Sequence, residues 1–262
     1  MSEAATAVVS GRVLQVRLTA PERANAIDLE SVSSLYKALD GFGPGIGALS
    51  LLHDGPNFCV GGDVSGFRDA TDPEAYLFEL AEAAHRCIRV LSAAPAPVVI
   101  GARGWAAGAG MAILLTADIL VLGESARMRV AYPAIGITPD CGLSWNLPRI
   151  VGRARAREIL MTNRPVDAAE ALAIGIAAHV VPDEAVESTV DRIAAELSQG
   201  PTQAYGNIRG LLSDGESRTL DEHLDFEARS IARSAVTAQG AEGIRAFLEK
   251  RRPVFHPDGP SR

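Results

Sequence analysis

The chain has 262 residues, 47% of them hydrophobic and 22% charged, with a formal net charge of −7. That balance belongs to a soluble globular protein, large enough for one domain or for one domain with a helical appendage. It excludes nucleic acid as the main partner, since no basic field offsets the acid, and an anionic ligand would need a local basic cluster. The three cysteines, Cys59, Cys87 and Cys141, lack metal-ligand spacing and point to a reducing compartment. The start, MSEAATAVVSGR, has neither the basic nor the long apolar segment of a signal peptide. The longest uncharged apolar run, residues 104–117, falls short of the roughly 20 residues of a membrane span. Together these features predict a cytoplasmic protein with no membrane partner.

Two apolar runs, 5–9 and 13–18, flank a Ser10-Gly11 turn and predict an opening hairpin. Residues 21–25 read as a loop carrying Arg23. Asp28 then caps a predicted helix through about Leu39, with Leu29, Val32, Leu35, Tyr36 and Leu39 at helical spacing. After the glycine-rich connection 41–47, the apolar run 48–53 has the mark of a strand buried on both faces. A glycine-bearing turn follows at once in NFCVGGDVSGF (57–67), and a long helix is expected over 73–91, ending before Pro95 and Pro97.

The strand 97–100 runs into ARGWAAGAGMAILLTAD (102–118), a glycine turn at a strand-to-helix junction that packs Gly104, Gly108 and Gly110 among alanines and continues as an uninterrupted apolar helix-like segment to Thr116. Small residues at such a junction admit a second backbone or a ligand. The first N–H groups of the helix also face outward together, a ready site for an oxygen that becomes negative. The alternative is plain close packing of a helix on a sheet. The glycines are not a dinucleotide fingerprint, because the third would fall at Ile113, and no GxxxxGK[ST] loop exists.

A strand at 118–122, a weakly alternating run at 128–137 and a third turn, Thr138-Pro139-Asp140-Cys141-Gly142, come next. Helix is expected over 143–161 with a break near Gly152, its Arg149, Arg153, Arg155 and Arg157 forming a solvated face or an anion patch. A short helix at 168–173 and a last strand at 177–181 follow. From about Asp183 to Arg252 the pattern is helical, punctuated at Gly200-Pro201 and Gly215. Strand, turn and helix recurring in order mean an α/β fold followed by a helical layer.

Three glycine-bearing turns, each after a strand, can converge at one end of a sheet. The segments PERANAI (21–27), NFCVGGDV (57–64), GWAAGAGMAILLTADI (104–119), GITPDCGLSWNLPRIVGRARA (136–156), MTNRPVDAAEALAIGIAAHVV (161–181) and EGIRAFLEKRRPVF (242–255) cover most of the chain. In that order the sequence resembles the crotonase superfamily, the enoyl-CoA hydratase/isomerase family. The resemblance implies a spiral of repeated ββα units with an acyl-CoA site over residues 1–200. It further implies a C-terminal helical region over 201–262, for oligomerisation and as a lid over CoA, and a homotrimer or a dimer of trimers. An acyl-CoA thioester would be the substrate, coenzyme A being part of it, with no separate cofactor and no metal.

By position, the backbone N–H groups of Gly62 and Ala109 would hold the thioester oxygen as it becomes an enolate or a tetrahedral oxyanion. Donors aimed at developing charge are worth about 10²–10³ in rate each. Asp63 reads as a helix cap rather than a catalyst. Arg23, with Ala24 and Ala26, and then Val60, Asp63 and Val64, would line the CoA path. Phe247 and Lys250 match family positions that reach the CoA of a neighbouring subunit; a solvated helix end is the other reading of Lys250.

Hydratases of the family add water with two glutamates, and the matching positions here carry Ala112 and Tyr132. Hydration needs one group to activate water and one to deliver a proton. Alanine does neither, and a phenol that ionises only near pH ~10 is a poor base. Asp140 sits where isomerases of the superfamily carry a catalytic aspartate, among them ring-opening phenylacetyl-CoA-pathway and dienoyl-CoA isomerases. One carboxylate, set among Pro139, Cys141, Leu143 and Trp145, can take a proton from one carbon of a dienolate and return it to another. That moves a 3-enoyl double bond to the 2-position without water; a helix cap or simple turn residue is the alternative.

His85 falls where the aroyl-CoA dehalogenases of the superfamily place a water-activating histidine. Those enzymes also carry an aspartate nucleophile at the Asp140 position and an aromatic residue at the Tyr132 position. The expected function is therefore an enoyl-CoA isomerase. Its rivals are a dehalogenase or thioester hydrolase using His85 with Asp140, a hydratase lacking both usual glutamates, and an acyl-CoA binder without a base. Tyr132, Trp105 and Trp145 read as core or acyl-pocket wall, and Cys59 and Cys141 as small buried apolar residues.

Overall fold

Strands β1 (Ala5–Ser10) and β2 (Val13–Leu18) form the expected antiparallel hairpin, Ser10 pairing with Val13 across the turn. The computed structural model that contains them describes residues 3–43, 45–215 and 217–256. Helix α1 (Leu29–Asp40) begins in a capping box: Asp28 accepts the N–H of Ser31, whose hydroxyl accepts that of Asp28. Its buried stripe of Val32, Leu35, Ala38 and Leu39 carries the chain back to β3 (Ala48–His53), parallel to β2. Helices α2 (Val64–Asp69) and α3 (Pro73–Ser92) make the next crossover, to β4 (Val98–Ala102). There follow β5 (Trp105–Ala107), α4 (Ala109–Leu114), β6 (Ile119–Gly123) and β7 (Arg127–Arg129). Helices α5 (Leu143–Val151) and α6 (Arg153–Thr162) break at Gly152, as expected. The chain closes through β8 (Val166–Asp167), α7 (Ala168–Ala173), β9 (His179–Val181), α8 (Val186–Ser198), α9 (Thr202–Gly215), α10 (Leu220–Ala235) and α11 (Ala238–Leu248).

The main sheet runs β1-β2-β3-β4-β6-β9 and is parallel except for the opening hairpin, while β5, β7 and β8 form a small second sheet. Both faces of the main sheet are covered along β3, β4 and β6, which is why these strands read as continuous apolar runs. On one face Val13, Ala48, Leu52, Val99 and Val121 meet Val186, Val190 and Ile193 of α8. On the other, Leu14, Leu49, Leu51, Ile100 and Leu122 join the core built with α1, α3 and α4. Among the described residues no helix is long and apolar enough to cross a membrane.

Three expectations change. The stretch read as a glycine turn from Gly104 contains a short strand: Cys59 donates to the Trp105 carbonyl at 3.2 Å, and Ala107 donates to the Cys59 carbonyl at 2.8 Å. Helix starts only at Ala109; a short run of small apolar residues has no period that separates the two states. The alternating run 128–137 yields only β7 and then a single 3₁₀ turn at Tyr132–Ile135, entered through Ala131 at φ 68° with Pro133 inside it. Trp105 and Trp145 are neither core nor pocket wall: Trp105, on β5, is 39% exposed and does not line the cavity described below, and Trp145 is 63% exposed, with the Arg149 guanidinium 3.3 Å from its ring centroid. The first turn of α5 turns this ring outward while Leu143 and Leu147 of the same helix are buried.

Candidate active site

Parallel strands deliver their following loops to one end of a sheet. Here the loop after β3 is stitched to the loop after β2 by one isolated parallel bridge, Ile27 with Gly62, and to the segment after β4 by another, Cys59 with Ala106. Ile27 donates to the Gly61 carbonyl and Asp63 donates to the Ile27 carbonyl, both at 2.8 Å. In such a bridge the residue between the two bonds turns its own N–H and C=O the other way. The Gly62 N–H therefore faces away from Ile27. Ala109 is the first residue of α4, so its N–H has no partner within the helix. Among the described residues neither N–H has an acceptor. Gly62 and Ala109 line the same cavity of about 530 Å³ as Asp140, Tyr132 and Cys141.

The two loops touch backbone to backbone. Gly61, at φ 93°, would bring a Cβ to 3.0 Å from the Ala107 carbonyl oxygen and 3.6 Å from Gly108 Cα. Gly110 is tighter still: a Cβ there would stand 2.2 Å from the Cys59 carbonyl oxygen. Gly110→Ala is expected to cost about 1–3 kcal/mol through overpacking against a backbone that cannot swing aside. Denaturant unfolding measures it; undiminished stability would show that the loops do not need this approach.

Asp140 stands on the third turn. The Tyr132 hydroxyl donates to its Oδ1. Burial, and then the negative charge of Asp140, pushes the Tyr132 phenol far up, so it stays a protonated donor. Asp140 is not the cap of α5: the N-cap is Gly142, without a side-chain bond, and the carboxylate is left to the cavity. His85, on α3, reaches this turn as well. Its Nε2 accepts the Cys141 N–H at 3.2 Å, and its Nδ1 lies 3.3 Å from Glu82 Oε1. These partners assign the proton to Nδ1 and the lone pair to Nε2. Cys59 and Cys141 are buried as expected; burial pushes the Cys59 thiol up to about 12 and Cys141 higher, with Asp140 adding to the latter.

The residues expected along a CoA path are spread differently. Arg23 donates to Asp28 at 2.6 Å and to Asp63 at 3.2 Å, so its guanidinium is already paired with two carboxylates. Asp63 caps α2, accepting the Ser65 N–H at 3.0 Å. Val60 and Val64 are exposed and line the cavity. Ala24 lies behind them, its carbonyl accepting the Val60 N–H at 3.3 Å, and Ala26 lies beside it in the same loop. Phe247, 82% exposed, and Lys250 lie at the end of α11 and do not line the cavity. A larger space of about 1110 Å³, between Phe42, Ile46, the end of α3 and Arg209 of α9, contains none of the candidate residues.

Two groups of residues escaped the sequence. The cavity wall is apolar, built from Ile27, Phe67, Leu77, Phe78, Leu80 and Ile135. The stripe Leu77, Leu80, Ala81 and Ala84 has helical spacing and reads equally well as core. Behind the wall, a buried polar network joins three loops. Asn25, 5% exposed, accepts the Ala20 N–H at 2.9 Å and donates to the carbonyls of Asp54 and Asn57 at 3.2 and 3.0 Å. Asn57 Oδ1 accepts the Trp105 N–H at 3.0 Å. His53, 4% exposed, accepts the Arg103 N–H on Nε2 at 3.2 Å, and burial pushes it down to about 4. Isolated polar residues carry no periodicity, so nothing marked these in advance.

Comparison with known proteins fits this geometry. The family model described as enoyl-CoA hydratase/isomerase matches residues 9–258. The 1,2-epoxyphenylacetyl-CoA isomerase of Escherichia coli strain K12 is 34% identical over 247 residues, which is 93% of this chain and 94% of that protein. The 4-chlorobenzoyl coenzyme A dehalogenase-1 of an Arthrobacter species is 30% identical over 244 residues, 91% of this chain and 88% of that one. Among solved structures, the enoyl-CoA hydratase/isomerase from Cupriavidus metallidurans CH34 superposes with a TM-score of 0.89 at 30% identity. The match covers 99% of this chain and 98% of that one.

Proposed function

Since the chain belongs to the enoyl-CoA hydratase/isomerase family and has the crotonase fold, we propose that it moves the double bond of an enoyl-CoA thioester, with Asp140 as the acid–base group. One observation carries this reading: a carboxylate shares a cavity with the unpaired N–H groups of Gly62 and Ala109, while the two hydratase glutamate positions hold Ala112 and Tyr132. Ala112 is fully buried, and Tyr132 spends its proton on Asp140.

Asp140 removes a proton from C2 of a 3-enoyl thioester. Charge moves onto the thioester oxygen, where Gly62 and Ala109 donate to it, and the same carboxyl group returns a proton to C4. The double bond then lies between C2 and C3, and no water is consumed. Tyr132 orients Asp140 through Oδ1 and leaves Oδ2 for the proton. Coenzyme A belongs to the substrate, and the reaction calls for no separate cofactor. The reading includes a cytoplasmic location, supported by three free cysteines, and a homotrimer or dimer of trimers. The exposed Leu220, Ile231, Val236 and Phe247 of the C-terminal helices and the turn between them support that assembly.

The test is a panel of 3-enoyl-CoA and 2-enoyl-CoA substrates. Conjugated 2-enoyl-CoA should accumulate from the former, and 3-hydroxyacyl-CoA should not form from the latter. Hydration as fast as isomerisation would defeat the proposal. The nearness of His85 to the third turn favours a second reading, a dehalogenase or thioester hydrolase, although its Nε2 is occupied by the Cys141 N–H. Halide release from 4-chlorobenzoyl-CoA, lost in His85→Gln, would decide for it.

A further inference from the structure

We propose that His85, Asp140 and Cys141 together bind a soft divalent cation of the Zn²⁺ type, and that the bound ion arrests turnover. One ligand atom from each residue lies within 4.8 Å of the other two. A tetrahedral zinc ion with bonds of about 2.0–2.3 Å sets its ligands about 3.3–3.8 Å apart. A side-chain adjustment of about an ångström closes the difference.

The site has more than proximity. Glu82 Oε1 faces His85 Nδ1 at 3.3 Å, the outer carboxylate that holds a metal-binding imidazole in one tautomer. That tautomer bares the Nε2 lone pair toward Cys141, whose N–H it now accepts at 3.2 Å and would exchange for the ion. The ligand set also balances charge: a carboxylate, a thiolate and a neutral imidazole cancel two positive charges in a partly buried place. Imidazole and sulfur together select zinc-like ions over magnesium or calcium. On binding, the Cys141 S–H bond breaks, the sulfur–metal bond forms and the proton leaves to solvent; nothing is oxidised or reduced. The fourth position opens on the cavity that Asp140 and Cys141 line, where water would complete the shell. No motif announces this site, because Cys141 lies 56 residues from His85.

Arrest follows because a carboxylate coordinated to the ion cannot accept a substrate proton. This half of the inference rests on the isomerase reading; the binding half does not. The test is a titration of the reduced, untagged, full-length protein with CoCl₂. One equivalent should bind, with a sulfur-to-cobalt charge-transfer band in the near ultraviolet and intense visible bands of four-coordination, all erased by stoichiometric Zn²⁺. Cys141→Ser should lose the charge-transfer band, and Cys59→Ser should keep it. Glu82→Gln, a partly exposed position on α3, should weaken Co²⁺ binding by about 10–100-fold and serves as the test if Cys141→Ser does not fold. No charge-transfer band, or one that survives in Cys141→Ser, or undiminished affinity in Glu82→Gln, would overturn the site. In turnover assays Zn²⁺ should stop 3-enoyl-CoA isomerisation and a chelator should restore it. A charge-transfer band with turnover intact would overturn the arrest and the role of Asp140 while leaving the site standing.

Discussion

Asp140→Asn is expected to lower kcat on a 3-enoyl-CoA by about 10²–10⁴-fold with little change in KM. Asparagine keeps the shape of the side chain and an oxygen that can still accept from the Tyr132 hydroxyl. It cannot take a proton. The Gly62 and Ala109 amides belong to other loops and stay where they are, so substrate binding and part of the enolate stabilisation persist. Steady-state kinetics with purified 3-enoyl-CoA, read as conjugated thioester forms, measures the loss. Unchanged turnover would remove Asp140 from the chemistry and revive the reading of this turn as structure alone.

Acid should weaken the fold well above the range in which carboxylates titrate, and His53 is the cause. Burial, aided by the positive charges of Arg103 and Arg17, lowers its pKa from 6.5 to about 4, while the carbonyls of Asp54 and Asn57 pull the other way. The folded state therefore holds the neutral ring, and the unfolded chain protonates first. The resulting stability is fully present above pH 6.5 and is lost as pH falls toward about 4. At about 1.4 kcal/mol per unit the full effect is about 3 kcal/mol, of which about 2 is gone by pH ~5. Asp28 and Asp63, held below the ordinary carboxylate value of 3.8, titrate beneath this window. Urea unfolding at about pH 7 and pH 5 should show the drop in wild type and most of it abolished in His53→Gln. Equal pH dependence in both proteins would assign the loss to another group.

What the sequence reveals and what it hides follow from the kind of information each element carries. The hairpin, the strand Ala48–His53 and the helix Pro73–Ser92 are legible because burial on one or two faces writes a period into the chain. The turns that carry Gly62 and Ala109 are legible because two backbones come close at their neighbours Gly61 and Gly110, and that demand selects small residues. Trp145 misleads because an aromatic residue on a short helix carries no sign of which way it faces. Tyr132 was visible as a missing glutamate, but its bond to Asp140 joins two turns through side chains and leaves no mark on spacing. Asn25, His53 and Asn57 are invisible for the same reason, although they tie the loops of the cavity together. Arg23 reads in the sequence as a cation on the CoA path; its pairing with Asp28 and Asp63, five and forty residues further on, leaves no mark there.

An anchor made of main chain is indifferent to side-chain change. The bridge from Ile27 to Gly61 and Asp63 sets the direction of the Gly62 amide through peptide groups alone. In the proposed reaction, replacing Leu77, Phe78 or Leu80 would thus reshape the room for an acyl tail without shifting where a carbonyl oxygen docks. Selectivity and reactivity become separately adjustable, so a lineage can exchange one tail for another by single steps and keep a working enzyme at each.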